Sequence, residues 1–275
     1  MILSRRKILT RLAFYGTPVA AFGYGSLIEK KIVSVTKQDI PLQDRFAGLD
    51  GFRVAVMGDF HHDDFGDDEL IRRAVKTINR EGVDLVMLVG DFVSEDARAL
   101  RPLCDELKNL RPRLGTFAVY GNHDRWHVGS SLRSHFTNAG IRLLTNEVVQ
   151  FPEVTVAGLD SIWGGAPDLP GTFSRAPDAK PVIAGWHEPD TFNLYRNPHM
   201  VLQVSGHTHG GQVCAPVKGP LLLPRYGKLF PYGLYRKEQS SLFVTRGIGT
   251  LSIPARFLCP PEVALLTFRR NPAPA

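Results

Sequence analysis

Seven side chains in this sequence are of the kinds that bind divalent metal ions, and they occur in five short polar segments. They are four histidines, two aspartates and one asparagine: Asp59, His61, Asp91, Asn122, His187, His207 and His209. Imidazole nitrogens with carboxylate and amide oxygens suit manganese, iron, zinc and related ions, and they exclude soft thiolate sites. Seven ligands are too many for one tetrahedral zinc ion. They are about the number that two ions sharing a bridging carboxylate require, so the sequence predicts a two-metal hydrolytic centre.

One of these segments predicts a functional site by itself, whereas the others do so mainly through their order along the chain. GHTHGG at residues 206–211 places His207 and His209 two positions apart, so both side chains point the same way in an extended segment. The neighbouring glycines permit tight turns and close approach of the backbone. A GD pair after a strand is a common turn, and GNHD at residues 121–124 is more specific. The five segments in this order favour a functional site over a set of turns.

Each polar segment directly follows a short apolar run rich in β-branched residues. Eight such runs predict strands, at residues 52–57, 83–89, 116–120, 154–157, 182–184, 201–204, 242–245 and 263–268. Most are continuous rather than alternating, which is typical of strands buried on both faces. Five of them run directly into Asp, His or Asn. Because open α/β sheets place their sites at the carboxyl ends of strands, we predict that these five ends converge on one pocket.

Helical periodicity between the early strands predicts parallel βαβ units at the front of an α/β fold. The predicted helices cover residues 67–81, 94–110, 132–139 and 190–195, and Ser94 is the expected N-cap of the second. The three cysteines, Cys104, Cys214 and Cys259, are odd in number and widely spaced, so they form neither a zinc pattern nor a disulfide framework. Buried free thiols are the favoured interpretation, and a pair between Cys214 and Cys259 is left open.

The composition is that of a soluble globular protein, with its excess charge at one end. Of the 275 residues, 43% are hydrophobic and 22% are charged, which excludes a disordered, collagen-like or disulfide-scaffold chain. The net charge of +6 comes from residues 1–37, which hold seven basic residues and one acidic residue. The rest of the chain is therefore balanced. It has no bulk field to attract a polyanion, so no nucleic-acid partner is expected.

The N-terminal segment is typical of a targeting signal. Residues 4–10 read SRRKILT and precede an uncharged run at residues 12–28. A basic segment before an apolar one is the export pattern, and the paired Arg5 and Arg6 resemble a twin-arginine signal for the export machinery. The run, 17 residues long, is at the lower limit for a membrane span. We expect residues 1–36 to be a cleaved signal or a retained membrane anchor with the body facing outward; the alternative is a basic amphipathic surface helix.

The order D-x-H, GD, GNHD, H and GHxH over residues 52–212 resembles the calcineurin-like metallophosphoesterases. Residues 206–224, 246–250 and 254–268 resemble its bacterial subgroup of membrane-anchored or exported phosphoesterases, some of them linked to UDP-2,3-diacylglucosamine hydrolysis in lipid A biosynthesis. The resemblance implies a four-layer α-β-β-α sandwich with the site at the strand carboxyl ends. The predicted boundaries are 1–36 for the signal or anchor, 37–50 for a linker with the first strand region, 51–270 for the catalytic domain and 271–275 for a tail.

The resemblance also implies a role for each candidate residue. Two divalent ions, manganese first and iron, zinc or magnesium as alternatives, would share Asp91. The first ion would be held by Asp59, His61, Asp91 and His209, and the second by Asp91, Asn122, His187 and His207. A hydroxide bridging the metals would attack phosphorus in line, while His123 would protonate the leaving group as general acid. Arg125 and His62 are the tentative substrate-binding residues.

One departure from the wider superfamily limits the choice of substrate. Its protein phosphatases carry GDxVDRG, where the second Asp supports the catalytic histidine and the Arg grips phosphate. This chain has GDFVSED, with Ser94 and Glu95 at those positions, which argues against a phosphoprotein phosphatase. The residue that orients His123 is left open among Asp63, Asp64 and Asp124. The tryptophans Trp126, Trp163 and Trp186 flank site loops and are expected to pack in the core or at the rim.

Three functions from different classes are compatible with these residues. The favoured one is a phosphoesterase of the cell envelope that cleaves a phosphodiester or pyrophosphate of a lipid or nucleotide-sugar. The alternatives are a nuclease of the same superfamily and a metal-free binding module that has lost the chemistry. The subgroup favours UDP-2,3-diacylglucosamine, whose cleavage belongs at the cytoplasmic face. That location conflicts with an outward-facing body, and an inward-facing anchor would remove the conflict.

Overall fold

The computed structural model describes residues 20–177, 180–194 and 199–270, and its strands form two six-stranded sheets and one short hairpin. The strands are β1 Ser34–Pro41, β2 Arg53–Met57, β3 Leu85–Leu88, β4 Gly115–Ala118, β5 Ile141–Leu143, β6 Glu147–Gln150, β7 Thr155–Gly158, β8 Val182–Gly185, β9 Met200–Ser205, β10 Cys214–Ala215, β11 Gly219–Pro220, β12 Gly233–Lys237, β13 Ser240–Val244 and β14 Glu262–Arg269. All eight predicted strands are confirmed within this set.

The first sheet has the order β1-β14-β2-β3-β4-β5, and the second has the order β12-β13-β9-β8-β7-β6. In the first sheet β2, β3, β4 and β5 run parallel, which confirms the predicted βαβ units. In the second sheet β13, β9, β8 and β7 run parallel. Parallel neighbours end at the same edge of a sheet, so the polar segments that follow these strands are brought together.

Side chains alternate between two faces of each sheet and thereby divide the core into layers. Val54 and Val56 of β2 face the second sheet, where they pack in one cluster with Ile183 and residues of β9. Ala55 and Met57 point the other way and pack in a separate cluster with the helices. A third cluster covers the outer face of the second sheet. The predicted four-layer α-β-β-α sandwich is therefore confirmed.

The described helices match the predictions in part. The α-helices are His62–Phe65, Asp68–Glu81, Leu100–Leu107, Ser131–Asn138 and Leu169–Phe173, and residues 20–27 are also helical. The 3-10 turns are Glu29–Lys31, Asp44–Leu49, Ala97–Ala99, Pro189–Asn193 and His209–Gly211, and a π-turn covers Asp124–Val128. The helix predicted at 190–195 is instead the short turn Pro189–Asn193, and Tyr195 lies outside the described residues.

The predicted start of the helix at 94–110 is wrong, and Ser94 is not its N-cap. The regular helix covers only Leu100–Leu107, because Asp96 caps a preceding 3-10 turn by accepting the N–H of Arg98. The N–H of Ser94 is bound instead by a carboxylate oxygen of Asp63 at 2.5 Å, which holds residue 94 in a loop. A long-range hydrogen bond has overridden the local helical pattern.

The predicted signal and tail lie mostly outside the described residues, so their assignment stays a prediction. The strand β1 begins at Ser34, before the predicted boundary at residue 36, and pairs with β14 along its whole length. Within the described residues, no helix has both the length and the apolar character needed to cross a bilayer. All three cysteines are buried and free, as favoured from the sequence.

Candidate metal centre

The predicted ligands follow the carboxyl ends of β2, β3, β4, β8 and β9, and most of them sit in an unusual backbone conformation. Five of the seven have a positive φ: Asp59 at 51°, His61 at 41°, Asp91 at 53°, His207 at 72° and His209 at 52°. Non-glycine residues rarely adopt this left-handed region, and where they do they cluster at functional sites. The turn after each strand therefore directs the side chain back over the end of the sheet.

The ligands form two groups of three at the carboxyl ends of these strands. Ligand atoms of Asp59, His61 and His209 all lie within 4.8 Å of one another, and so do those of Asp91, His187 and His207. All six side chains are buried. The Nε2 atoms of His61 and His209 are 3.1 Å apart, which is the approach expected of two imidazoles that face one ion.

Asp91 connects the two groups. Its Oδ2 lies 3.5 Å from Nε2 of His61 in the first group and 3.2 Å from Nε2 of His187 in the second. Its Oδ1 accepts the N–H of His123 at 3.0 Å. One carboxylate oxygen thus faces both groups, as a bridging ligand must.

Hydrogen bonds on the far side of the rings orient two of the histidines. Nδ1 of His187 lies 2.5 Å from the carbonyl of Val89, so Nδ1 carries the proton and Nε2 is left to bind metal. Nε2 of His207 lies 2.7 Å from the carbonyl of Arg225, which leaves Nδ1 as its ligand atom. Such backbone contacts fix the tautomer of metal-binding histidines.

Unpartnered polar atoms show that this chain's residues fit two metal ions. Several buried polar atoms among the described residues have no hydrogen-bond partner, and three of them, Asp59 Oδ2, Asn122 Oδ1 and His187 Nε2, belong to the predicted ligand set. A buried polar atom without a partner is costly, and a bound cation would supply the missing interaction. This donor set, in two groups of three, indicates a dinuclear divalent metal centre.

The electrostatics show the cost of burying these ionisable groups together without a cation. Burial, together with the nearby charge of Asp91, raises the pKa of Asp59 to about 6. Burial and the neighbouring His187 lower the pKa of His207 to about 3, so its imidazole is neutral at physiological pH. Neutral imidazoles and carboxylates with unsatisfied oxygens are the forms that bind metal, and two cations would offset the cost of burying the carboxylates.

His123 lies beside the centre without joining either group. Its ring is half-buried and stands edge-on to His61, with 4.9 Å between the ring centroids. Nδ1 lies 3.2 Å from the carbonyl oxygen of Ser94. If Nδ1 donates to this carbonyl, Nε2 is the atom that can exchange a proton with substrate.

The structure therefore answers which group orients His123. It is the main-chain carbonyl of Ser94, and no hydrogen bond joins the ring to Asp63 or Asp124; the side chain of Asp64 lies outside the part that the structure describes. Asp63 acts indirectly, because its carboxylate accepts the backbone N–H groups of Ser94, Glu95 and Asp96 at 2.5, 2.7 and 2.6 Å. The Oγ of Ser94 is also 2.9 Å from Nδ1 of His61, so this serine supports two site histidines.

Asp124 is a supporting residue whose role the sequence did not reveal. It is fully buried and accepts the N–H groups of Asp91, Phe92 and Gly121 at 2.8, 2.9 and 2.8 Å. It thereby ties the loop after β3 to the loop after β4. Burial, with the charge of Asp91, raises its pKa to about 7.

We expect Asp124→Asn to weaken both folding and metal binding. The amide nitrogen would face a backbone N–H, so we expect about 2 kcal/mol less free energy of unfolding and about 10- to 100-fold weaker metal affinity. Denaturant unfolding and metal titration measure the two effects. Asp105→Asn, at an exposed position, is the matched control and should change neither. Unchanged metal affinity in Asp124→Asn would contradict the assigned role.

The two tentative substrate-binding residues have partners in the fold. Nε of Arg125 is 2.7 Å from Asp160, and its guanidinium lies 3.7 Å from the ring centre of Tyr120. Nε2 of His62 is 2.8 Å from Asp68, and His62 lines a separate cavity of about 500 Å³ that includes none of the seven ligands. A substrate contact by either residue stays a prediction.

A buried arginine ties together the loops that carry residues 246–249 and 259. Arg256 is fully buried, and its guanidinium donates to the carbonyls of Arg246, Gly249 and Cys259. The sequence marked Arg256 only as part of a resembling segment. No local pattern could have shown that its partners are backbone carbonyls brought in from neighbouring loops.

Aromatic side chains form a rim beside the second group. Trp126 and Trp163 are 44% and 36% exposed, whereas Trp186 is buried. Trp163 stands edge-on to His207 at 5.6 Å and to Trp126 at 5.0 Å between ring centroids. The expectation of rim and core packing for the three tryptophans is therefore confirmed.

These features define a metal-dependent phosphoesterase. The chain belongs to the calcineurin-like phosphoesterase family, which matches residues 52–211. It is 31% identical to the uncharacterized metallophosphoesterase YkuE of Bacillus subtilis over 92% of this chain and 91% of that protein. It is 30% identical to the phosphodiesterase YaeI of Escherichia coli over 96% and 99% of the two chains. Its identity to the UDP-2,3-diacylglucosamine pyrophosphatase LpxG of Chlamydia muridarum is 23%, over 92% and 94%. The prediction of a phosphoric ester hydrolase is thus confirmed.

Proposed function

We propose that this enzyme hydrolyses a phosphodiester or pyrophosphate bond of a lipid or nucleotide-sugar, with His123 as general acid. The observation that carries the proposal is the position of Asp91. Its Oδ2 faces both ligand groups, and its Oδ1 accepts the backbone N–H of His123. Asp91 thereby connects the two ligand groups with His123, the proposed general acid. UDP-2,3-diacylglucosamine is the candidate substrate.

The chain's own residues would divide the reaction among them. Two bound divalent ions, manganese in our proposal, would supply an activated water and neutralise charge on the phosphoryl oxygens. The seven predicted ligands would hold those ions, and Asp91 would be shared between the two groups. The carbonyl of Ser94 keeps Nδ1 of His123 protonated, so Nε2 would carry the second proton and give it to the departing oxygen.

Two observations support the choice of substrate class. The exposed rings of Trp126 and Trp163 stand beside the second ligand group, where they offer stacking surfaces to a nucleobase or sugar. On the other side, His207 and His209 line a groove whose remaining wall is largely apolar. A substrate with a polar, ring-containing end and an apolar end matches both surfaces. The LpxG relative, named for such a substrate, supports the same choice.

We further propose that the enzyme works at the cell envelope, associated with the membrane through residues 1–36. The support is the basic SRRKILT segment followed by an uncharged run. The twin-arginine export machinery is the proposed carrier, and an inward-facing anchor is the alternative if the substrate is UDP-2,3-diacylglucosamine.

The proposal predicts UMP release when manganese-loaded protein is incubated with UDP-2,3-diacylglucosamine in detergent. Bis-p-nitrophenyl phosphate, a generic phosphodiester, is the parallel substrate, and EDTA should abolish both activities because the chemistry depends on the ions. Cleavage of the generic phosphodiester alone would retain the hydrolase and reject this lipid substrate. Failure to cleave either substrate with two metals bound would contradict the proposed function.

A further inference from the structure

An apolar surface that the fold does not bury adjoins the metal centre. A groove of about 620 Å³ is lined by His207 and His209 on one side and by residues 221–223 and Ile253 on the other. Leu222 is 82% exposed, and Leu221 and Ile253 are about half exposed. The hairpin of β10 and β11 also carries Val217, fully exposed at its tip. We call Val217, Leu221, Leu222 and Ile253 the apolar rim.

The backbone conformation at the tip of this hairpin indicates that the apolar side chain of Val217 serves a contact outside the turn. Val217 has a φ of 67°, in the left-handed region where a β-branched residue is a genuine outlier. Glycine or asparagine would suit this turn better. The Val217 side chain is fully exposed in the part of the chain that the structure describes, so neither turn geometry nor the core accounts for a valine here.

The stretch of sequence that carries most of the rim is basic, although Asp190 accepts the backbone N–H groups of Lys228 and Leu229. The chain contains no acidic residue between Asp190 and Glu238, whereas Lys218, Arg225 and Lys228 in that interval are all exposed. The body of the protein is balanced as a whole, so this is a local excess. Exposed apolar residues among basic ones are the composition that binds the interface of an anionic membrane.

The N-terminal end of the described chain lies near the same surface. The carbonyl of Gly25 accepts the N–H of Arg256 at 3.2 Å, and the rings of Tyr24 and Phe257 meet edge-on at 6.4 Å. Both contacts are made by the segment that follows Ile253 of the rim. The described chain therefore begins near the rim, and the sequence before residue 20 has four basic residues among its first eleven.

We propose that the apolar rim is a docking surface for an anionic lipid bilayer. The rim side chains would enter the headgroup region, and Lys218, Arg225 and Lys228 would contact acidic headgroups. The groove that contains His207 and His209 would then open toward the lipid. This placement lets a phosphoester in the membrane reach the ligand groups, whatever its exact identity.

The test places a polarity-sensitive dye on the rim of the full-length protein. Leu222→Cys offers the accessible thiol, because the three native cysteines are buried. Ser134→Cys, at an exposed position on the helix Ser131–Asn138, is the matched control. The vesicles are phosphatidylglycerol with phosphatidylethanolamine, compared with phosphatidylcholine alone. We expect a blue shift of the dye at position 222 on the anionic vesicles, a smaller shift on phosphatidylcholine, and none at position 134.

Two outcomes would overturn the proposal. If the protein sediments with vesicles but the dye at 222 stays in a polar environment, binding belongs to the N-terminal segment alone. If the dye already reports an apolar environment without vesicles, the rim is covered by this chain or by a second copy. Turnover of bis-p-nitrophenyl phosphate by the same labelled proteins is measured separately, so failure to dock is distinguished from failure to hydrolyse.

Discussion

Asp91→Asn should remove both metal ions and lower turnover of bis-p-nitrophenyl phosphate by about a thousand-fold or more. The physical reason is that one oxygen, Oδ2, faces His61 of one group and His187 of the other at 3.5 and 3.2 Å. An amide at this position has no negative charge to share between two cations, and a nitrogen in place of Oδ2 cannot act as a ligand. Elemental analysis of the purified variant and its steady-state kinetics measure the two losses.

The control for this variant is Asp84→Asn, the same chemical change outside the centre. Asp84 forms a surface ion pair with Arg113, and such pairs contribute little, so metal content and turnover should stay at the parent level. His209→Ala should lose the first ion, because His209 contacts only the first group. If Asp91→Asn and His209→Ala both kept two metals and full turnover, the ligand assignment would be wrong.

His123→Asn should keep both metal ions but lose about 10²- to 10⁴-fold in kcat, the range typical of a general acid. The ring joins neither ligand group, so metal content should be unaffected. The loss should depend on the leaving group. A p-nitrophenolate departs without a proton and should show the smaller loss, whereas an alkyl or sugar phosphate oxygen needs the proton and should show the larger one.

His135→Asn provides the matched control, because His135 lies on a surface helix where Nδ1 contacts the carbonyl of Ser131. It should behave as the parent protein in metal content and in kcat with both kinds of substrate. Equal losses for good and poor leaving groups in His123→Asn would show that His123 does not donate the proton. Loss of a metal ion in that variant would instead indicate a ligand or structural role.

The strands could be predicted from the sequence wherever both of their faces are buried. The strands that were not predicted share one physical cause. The strands of three or more residues that fall outside the eight predicted apolar runs, β1, β5, β6 and β12, are the edges of the two sheets. Their residues are partly exposed, as in the pattern of β6, where no residue is buried. An edge strand needs no continuous apolar run, so the signal that revealed the central strands is absent there.

The types and order of the predicted metal ligands could also be identified from the sequence. A buried parallel strand ends at a sheet edge, and a polar segment after it must lie at that edge. Five such segments carrying His, Asp and Asn therefore predicted one centre, and the structure brings six of the seven residues together in two groups of three. These are local properties of strands and loops, which is why one sequence was enough.

The geometry inside the centre was decided only by the tertiary structure. The carbonyl of Ser94 reaches His123 across 29 positions, the oxygens of Asp124 bind the loop of Asp91 across 33, and Asp59 holds the backbone of His207 across 148. Five ligands adopt a left-handed backbone that none of them prefers alone. Side-chain type sets which atoms can bind metal, but the long-range hydrogen bonds that turn those atoms inward exist only once the two sheets have packed.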